Sequence, residues 1–181
     1  ATCFRHAFAQ VSVCEADPVR RLEAHLDGFM TPATEAAIAS ADIIVTETGA
    51  VDVLTADHLG LIKDGAILLN GGHFPSEIDF AGMAGSAEVE QRDEFENGAL
   101  TTLRLKDGRR LTIAAAGHMA NLAGPRPLGN SIEAMDFGFA LQARCLERIA
   151  TGGTDASDCV VPVPRDIDEG VANAYLDLRS G

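Results

Sequence analysis

Asn70-Gly71-Gly72-His73-Phe74 places an amide and an imidazole around two residues without side chains. Paired glycines let backbone approach a ligand closely, and an imidazole can hold or move a proton beside it. The plainer alternative is a histidine that caps a sheet. Thr46-Glu47-Thr48-Gly49 offers two hydroxyls and a glycine for close approach to a flat or phosphorylated ligand. An ordinary strand-to-helix turn would look the same. Glu15 follows a short apolar run. An acidic residue there can accept hydrogen bonds from both hydroxyls of an adenine ribose, or serve as a surface carboxylate. His118 and Asn121 follow another apolar run, where an amide could bind an amide group and a histidine could equally be solvated.

These residues need strands that end together. Ile43–Thr46 and Ala66–Leu69 are apolar, β-branched runs, each closing on one of the polar turns. Between them, Leu54, Leu59 and Ile62 predict a short amphipathic helix. A strand, helix and strand of this kind belong to a parallel sheet, whose ligands sit at the carboxyl ends of the strands. Val11–Cys14 predicts another strand. Asp17-Pro18 then predicts the start of a helix over Val19–Asp27, with Asp17 as N-cap. Ala1–Phe8 reads as a helix tail, Thr34–Ala39 as a short helix, and Glu88–Glu96 as an exposed charged stretch. Leu100–Leu105 and Arg110–Ala115 flank Asp107-Gly108 and predict a hairpin. Ile132, Met135, Phe139, Leu146 and Ile149 recur at helical spacing. Ile167–Leu176 predicts a final helix after the polar loop Thr151–Asp158.

The sequence has 181 residues, of which 46% are apolar, and a formal net charge of −13. That length suits one well-buried α/β domain. The acidity argues against a nucleic-acid surface, which needs basic patches. No apolar run approaches the ~18 residues of a membrane span, and no signal peptide is visible. Cys3, Cys14, Cys145 and Cys159 lack zinc-type spacing and are expected to be reduced, mostly buried thiols of a cytoplasmic protein. His6, His25 and His58 fall on predicted helices and read as structural or exposed, and no metal site is expected. A dinucleotide fold normally opens with a strand and a Gly-x-Gly-x-x-Gly turn. Neither is present, and Ala1 reads as lying inside the helix that follows them.

Taken together, the motifs resemble the S-adenosylhomocysteine hydrolase family over most of the chain. The matching residues are Val11-Ser12-Val13-Cys14-Glu15-Ala16-Asp17-Pro18, Thr46-Glu47-Thr48-Gly49, Lys63-Asp64-Gly65-Ala66 and Asn70-Gly71-Gly72-His73-Phe74, in the family order. The Asp107-Gly108 hairpin, Gly117, Asn121-Leu122, Ile167-Asp168-Glu169 and Val171-Ala172 continue that order. The resemblance implies a Rossmann-like NAD-binding domain over 1–124, without its first strand and Gly-rich turn. It also implies a helical segment over 125–181 that packs toward a substrate domain. Glu15 is then implied on the adenosine ribose. Thr46, Thr48, Gly49, Asn70, Gly72 and Asn121 are implied around NAD, and His73 as a catalytic residue near the nicotinamide and the substrate sugar. The implied chemistry oxidises the nucleoside 3′ carbon, eliminates the 5′ thiol through the acidified C4′ proton, adds water and reduces the ketone again. A nucleoside-type substrate, a homotetramer and a cytoplasmic location are implied as well, with no nucleic acid and no membrane.

The sequence also departs from the family. The acid–base Lys, Asp, Glu and His of the upstream substrate domain have no counterpart here, nor does the C-terminal Lys and Tyr arm. The family's Gly-His-Pro-Ser-Phe reads Gly129-Asn130-Ser131-Ile132-Glu133, which places Asn130 and Glu133 at substrate-facing positions. The isoleucine of Asn-x-Gly-His is Gly71. A divergent nucleoside dehydratase or oxidoreductase running the same cycle is therefore a second reading. A 2-hydroxyacid dehydrogenase cofactor domain shares the Lys-x-Gly-Ala strand pattern but carries Arg-Gly where this chain has His73-Phe74. A non-catalytic NAD-binding module is the third alternative.

Overall fold

A computed structural model describes all residues except 93–99, 124–126, 156, 158–159 and 181. The chain divides into two compact units, Ala1–Leu128 and Gly129–Gly181. The boundary expected between 124 and 125 falls outside the described residues.

The first unit begins with α1 (Thr2–His6), α2 (Pro18–Leu26) and α3 (Thr34–Ser40). Asp17 caps α2 as the sequence predicts, its Oδ1 accepting from Val19 N at 2.8 Å, and Pro18 opens the first turn. The five strands are β1 (Ile43–Thr46), β2 (Ala66–Asn70), β3 (Glu88–Arg92), β4 (Leu100–Arg104) and β5 (Arg110–Ala114), with α4 (Phe80–Gly85) before β3. They form one mixed sheet in the order β1-β2-β5-β4-β3. β1, β2 and β5 are parallel, while β4 runs against both β5 and β3. The predicted hairpin is present. Gly108 takes φ +92°, and Leu105 and Gly108 close the turn at 3.0 Å.

β2 alternates in the way a sheet covered on one side requires. Ala66, Leu68 and Asn70 are fully buried, whereas Ile67 is exposed. The core on that face joins Leu68 to Ile38, Leu54, Leu59, Ile62, Ile78, Met83, Leu103, Leu111 and Ile113. Each such aliphatic contributes about 1.5–3 kcal/mol through burial. The polar ends of β1 and β2, Thr46 and Asn70, are buried too, so the core carries a polar patch at its carboxyl edge.

Three expectations need correction. The segment between β1 and β2 holds only a 3-10 turn, Ala56–Gly60. Leu54 stays outside that turn and pairs with Ile78 instead of lying on a helix face. Val11–Cys14 is not a full strand: it makes a single parallel pairing of Ser12 with Met30, with Val13 N donating to Met30 O at 2.8 Å. Cys3 and Cys14 are exposed and Cys145 is half-buried, because the segments that carry them contribute little to the core. Cys159 lies outside the described residues. Glu88 is exposed as expected of the charged stretch, which also holds β3 over Glu88–Arg92, paired with β4, and whose remainder from 93 on lies outside the described residues. Among the described residues no helix is long and apolar enough to cross a membrane, and no cluster has the composition of a metal site.

The second unit pairs α5 (Ile132–Ala150) with α6 (Arg165–Ser180). Ser131 caps α5, its Oγ accepting from Ala134 N at 3.2 Å. Phe137 meets Tyr175 edge to face at 6.1 Å, and Arg148 pairs with Asp166 at 2.9 Å. Ile167 and Val171 are buried. Ile132, Phe139, Leu146 and Ile149 stay exposed along α5.

Candidate functional site at the carboxyl edge of the sheet

β1 and β2 end in register, with Thr46 opposite Asn70. The next backbone pair continues this alignment, Gly71 N donating to Thr46 O at 2.9 Å. Parallel register therefore brings the two polar turns of the sequence side by side. The pairing of Asn70 with Met119 adds the loop after β5.

Asn70 is the hub of this edge. Its side chain is fully buried. Nδ2 donates to Phe74 O and to Gly117 O, both at 2.7 Å. Oδ1 accepts from Gly72 N at 2.7 Å and from Thr46 Oγ1 at 3.3 Å. An amide has two hydrogens and two lone pairs to offer, and all are engaged. Asn70 thus faces inward with every polar atom engaged, and the buried Thr46 shapes the edge beside it.

A residue that the sequence reading missed completes the arrangement. Glu77 has no exposed surface. Its Oε2 accepts from Thr48 N and Thr48 Oγ1, each at 2.8 Å, and its Oε1 accepts from Gly49 N at 2.9 Å. Burial pushes this carboxyl upward, but the hydrogen bonds from Thr48 and Gly49 outweigh it and hold it below the ordinary glutamate range. The Thr48-Gly49 turn is therefore tied to the segment that follows His73. Gly72 packs against the same carboxylate: a Cβ there would lie 1.9 Å from Glu77 Oε1. The only sequence signal for Glu77 was an acidic residue next to the apolar Ile78, inside a stretch without regular periodicity.

His73 and Phe74 project outward, both exposed, with rings edge to face at 4.8 Å. Thr48 and Gly49 are exposed too, and Gly49 has no atom within 4 Å of its missing Cβ. Asn121 is exposed at the far side of the loop that follows β5, its Nδ2 donating to Leu128 O at 3.2 Å. His118 is exposed as well. Glu15 is half-buried and accepts from Asp17 N at 2.9 Å, just past the Ser12 pairing. The structure thus gathers Thr46, Thr48, Gly49, Asn70, Gly72 and His73 at one edge. Asn130 and Glu133 belong to the second unit, where Asn130 Nδ2 lies 3.6 Å from Met135 Sδ and Glu133 sits exposed in the first turn of α5.

Residues 1–126 match the family described as S-adenosyl-L-homocysteine hydrolase, NAD binding domain. The chain is 38% identical to an S-inosyl-L-homocysteine hydrolase of Methanopyrus kandleri over 93% of its own length and 39% of that protein's. It is 40% identical to adenosylhomocysteinases of Aquifex aeolicus and Thermococcus kodakarensis, with the same coverage of both chains. The chain thus spans about two fifths of the length of these curated relatives. With the family's NAD-binding description covering most of its length, this chain belongs to the S-adenosyl-L-homocysteine hydrolase family, and its cofactor is NAD.

Proposed function

We propose that this chain is the cofactor-binding part of an enzyme that splits an S-nucleosylhomocysteine into nucleoside and homocysteine with one water. The observation that supports this most is the edge where Thr48-Gly49 and Gly72-His73 stand open while Glu77 and Asn70 fix them from beneath. The residues suit a dinucleotide. Thr48 and Gly49 are exposed, and nothing lies within 4 Å of the missing Cβ of Gly49. Glu15 retains acceptor capacity beyond its bond to Asp17, which a ribose diol could use.

When bound, NAD supplies reversible hydride exchange with the 3′ carbon of the nucleoside. The protein's part is placement. Thr48 and Gly49 would hold the cofactor's second half, Glu15 its adenosine ribose, and Asn121 an amide. His73 would meet both cofactor and substrate sugar with its exposed imidazole, and would hold a proton there. Asn130 and Glu133 would face the substrate, and their types differ from the family pattern. That difference supports the second reading, a divergent nucleoside enzyme using the same oxidation, elimination and reduction. The exposed apolar residues of α5 support a role for the second unit in packing on another surface, within a substrate domain or a homotetramer. A cytoplasmic location belongs to the same proposal.

The relatives named above include both adenosyl and inosyl hydrolases, so the base remains to be assigned by experiment. The full-length protein with NAD should be incubated separately with S-adenosylhomocysteine and S-inosylhomocysteine. Free homocysteine and nucleoside are then followed by mass spectrometry. NAD-dependent release from either thioether is the expected result, and the faster one names the base. Release from neither, with NAD bound, would overturn hydrolysis and favour the divergent enzyme.

A further inference from the structure

Gly71 and Glu47 carry this inference, which rests on the NAD reading above. They follow directly on the last register pair, Thr46 and Asn70, so they are neighbours across β1 and β2. A Cβ on Gly71 would lie 2.0 Å from Glu47 Oε1 and 2.7 Å from its Cδ. The carboxylate of Glu47 therefore fills the volume that any other residue 71 would occupy. Glu47 is exposed at the edge and makes no hydrogen bond or ion pair among the described residues. Among the described residues nothing neutralises its charge, and it is not buried. Glu77, the other carboxylate of this edge, is fully occupied by Thr48 and Gly49 and turned inward.

The two halves of a dinucleotide lie across the carboxyl ends of the two halves of such a sheet. With Glu15 serving the adenosine half, the β1–β2 edge serves the nicotinamide half. An oxidised nicotinamide ring carries a positive charge and a reduced one carries none. A fixed negative charge beside the ring therefore stabilises the oxidised form selectively. We propose that Glu47, seated in the space left by Gly71, places a carboxylate beside the nicotinamide half of the bound cofactor and biases the site toward its oxidised form.

The test is the ratio of NADH to NAD⁺ affinity in the full-length protein, measured by titration calorimetry. Glu47→Gln keeps the shape and removes the charge, and is expected to raise the preference for NADH about fivefold at low salt. Gly71→Ala provides an independent variant: its methyl expels the carboxylate, and the ratio should move in the same direction. A Glu47→Gln protein with the wild-type ratio would overturn the proposal. Failure of the wild-type protein to bind either form would overturn the cofactor reading itself, and this inference with it.

Discussion

Glu77→Ala is expected to destabilise the protein by about 3 kcal/mol and to abolish retention of NAD, because three hydrogen bonds to one carboxylate are lost together. The figure is set below the sum of three buried charged bonds because Thr48 and Gly49 are exposed and water can replace part of what they lose. Glu77→Gln should be nearly as damaging. Both carboxylate oxygens accept from donors, so an amide must direct its own NH₂ at one of them. The pH dependence has a definite sign. The folded-state carboxyl titrates below the ordinary glutamate value of 4.5. Its contribution is therefore complete above that pH and is lost as the pH falls through the folded value. Urea denaturation across an acid pH series checks this: the wild-type protein should lose stability on acidification more steeply than Glu77→Gln. Parallel slopes would show that the carboxylate contributes nothing as a charge.

Asn70→Asp is expected to cost about 3–5 kcal/mol at neutral pH, although it changes only an NH₂ to an oxygen. The new oxygen would face the carbonyls of Phe74 and Gly117, where the amide now donates two bonds of 2.7 Å. An ionised carboxylate has no donor to offer either. A protonated one satisfies a single carbonyl, so the folded-state carboxyl must titrate above its ordinary value. The penalty then is smallest at acid pH and grows as the pH rises above the ordinary aspartate value of about 3.9. That trend is opposite to the one expected for Glu77, and the same denaturation series distinguishes them. A substitution tolerated at neutral pH would mean that the amide is not the hub of the edge.

Much of this edge was legible before any coordinates. The apolar runs ending at Thr46 and Asn70 gave two parallel strands, because β-branched composition and a polar stop are local signals. Asp17-Pro18 and Asp107-Gly108 worked for the same reason, as caps and turns depend on neighbouring residues. The segment between β1 and β2 departs from its helical spacing because that spacing is set by tertiary contacts: Leu54 is buried by pairing with Ile78, not by lying on a helix face. Asn70 was singled out, but its direction was not readable. A buried amide and a ligand-facing amide have the same sequence, and only the carbonyls of Phe74 and Gly117 decide between them. Glu77 was invisible because its partners lie at Thr48 and Gly49, far away in the chain and brought near only by the sheet. The meaning of Gly71 likewise required Glu47 beside it.

The role proposed for this edge is to hold NAD in position to oxidise a nucleoside at its 3′ carbon. The measurement that tests it most directly mixes the purified, NAD-loaded full-length protein with adenosine or inosine and records the absorbance of reduced nicotinamide. This absorbance is expected to rise with at least one of them and not with the corresponding 3′-deoxynucleoside. NAD bound in full amount, with no reduction by either nucleoside, would contradict it.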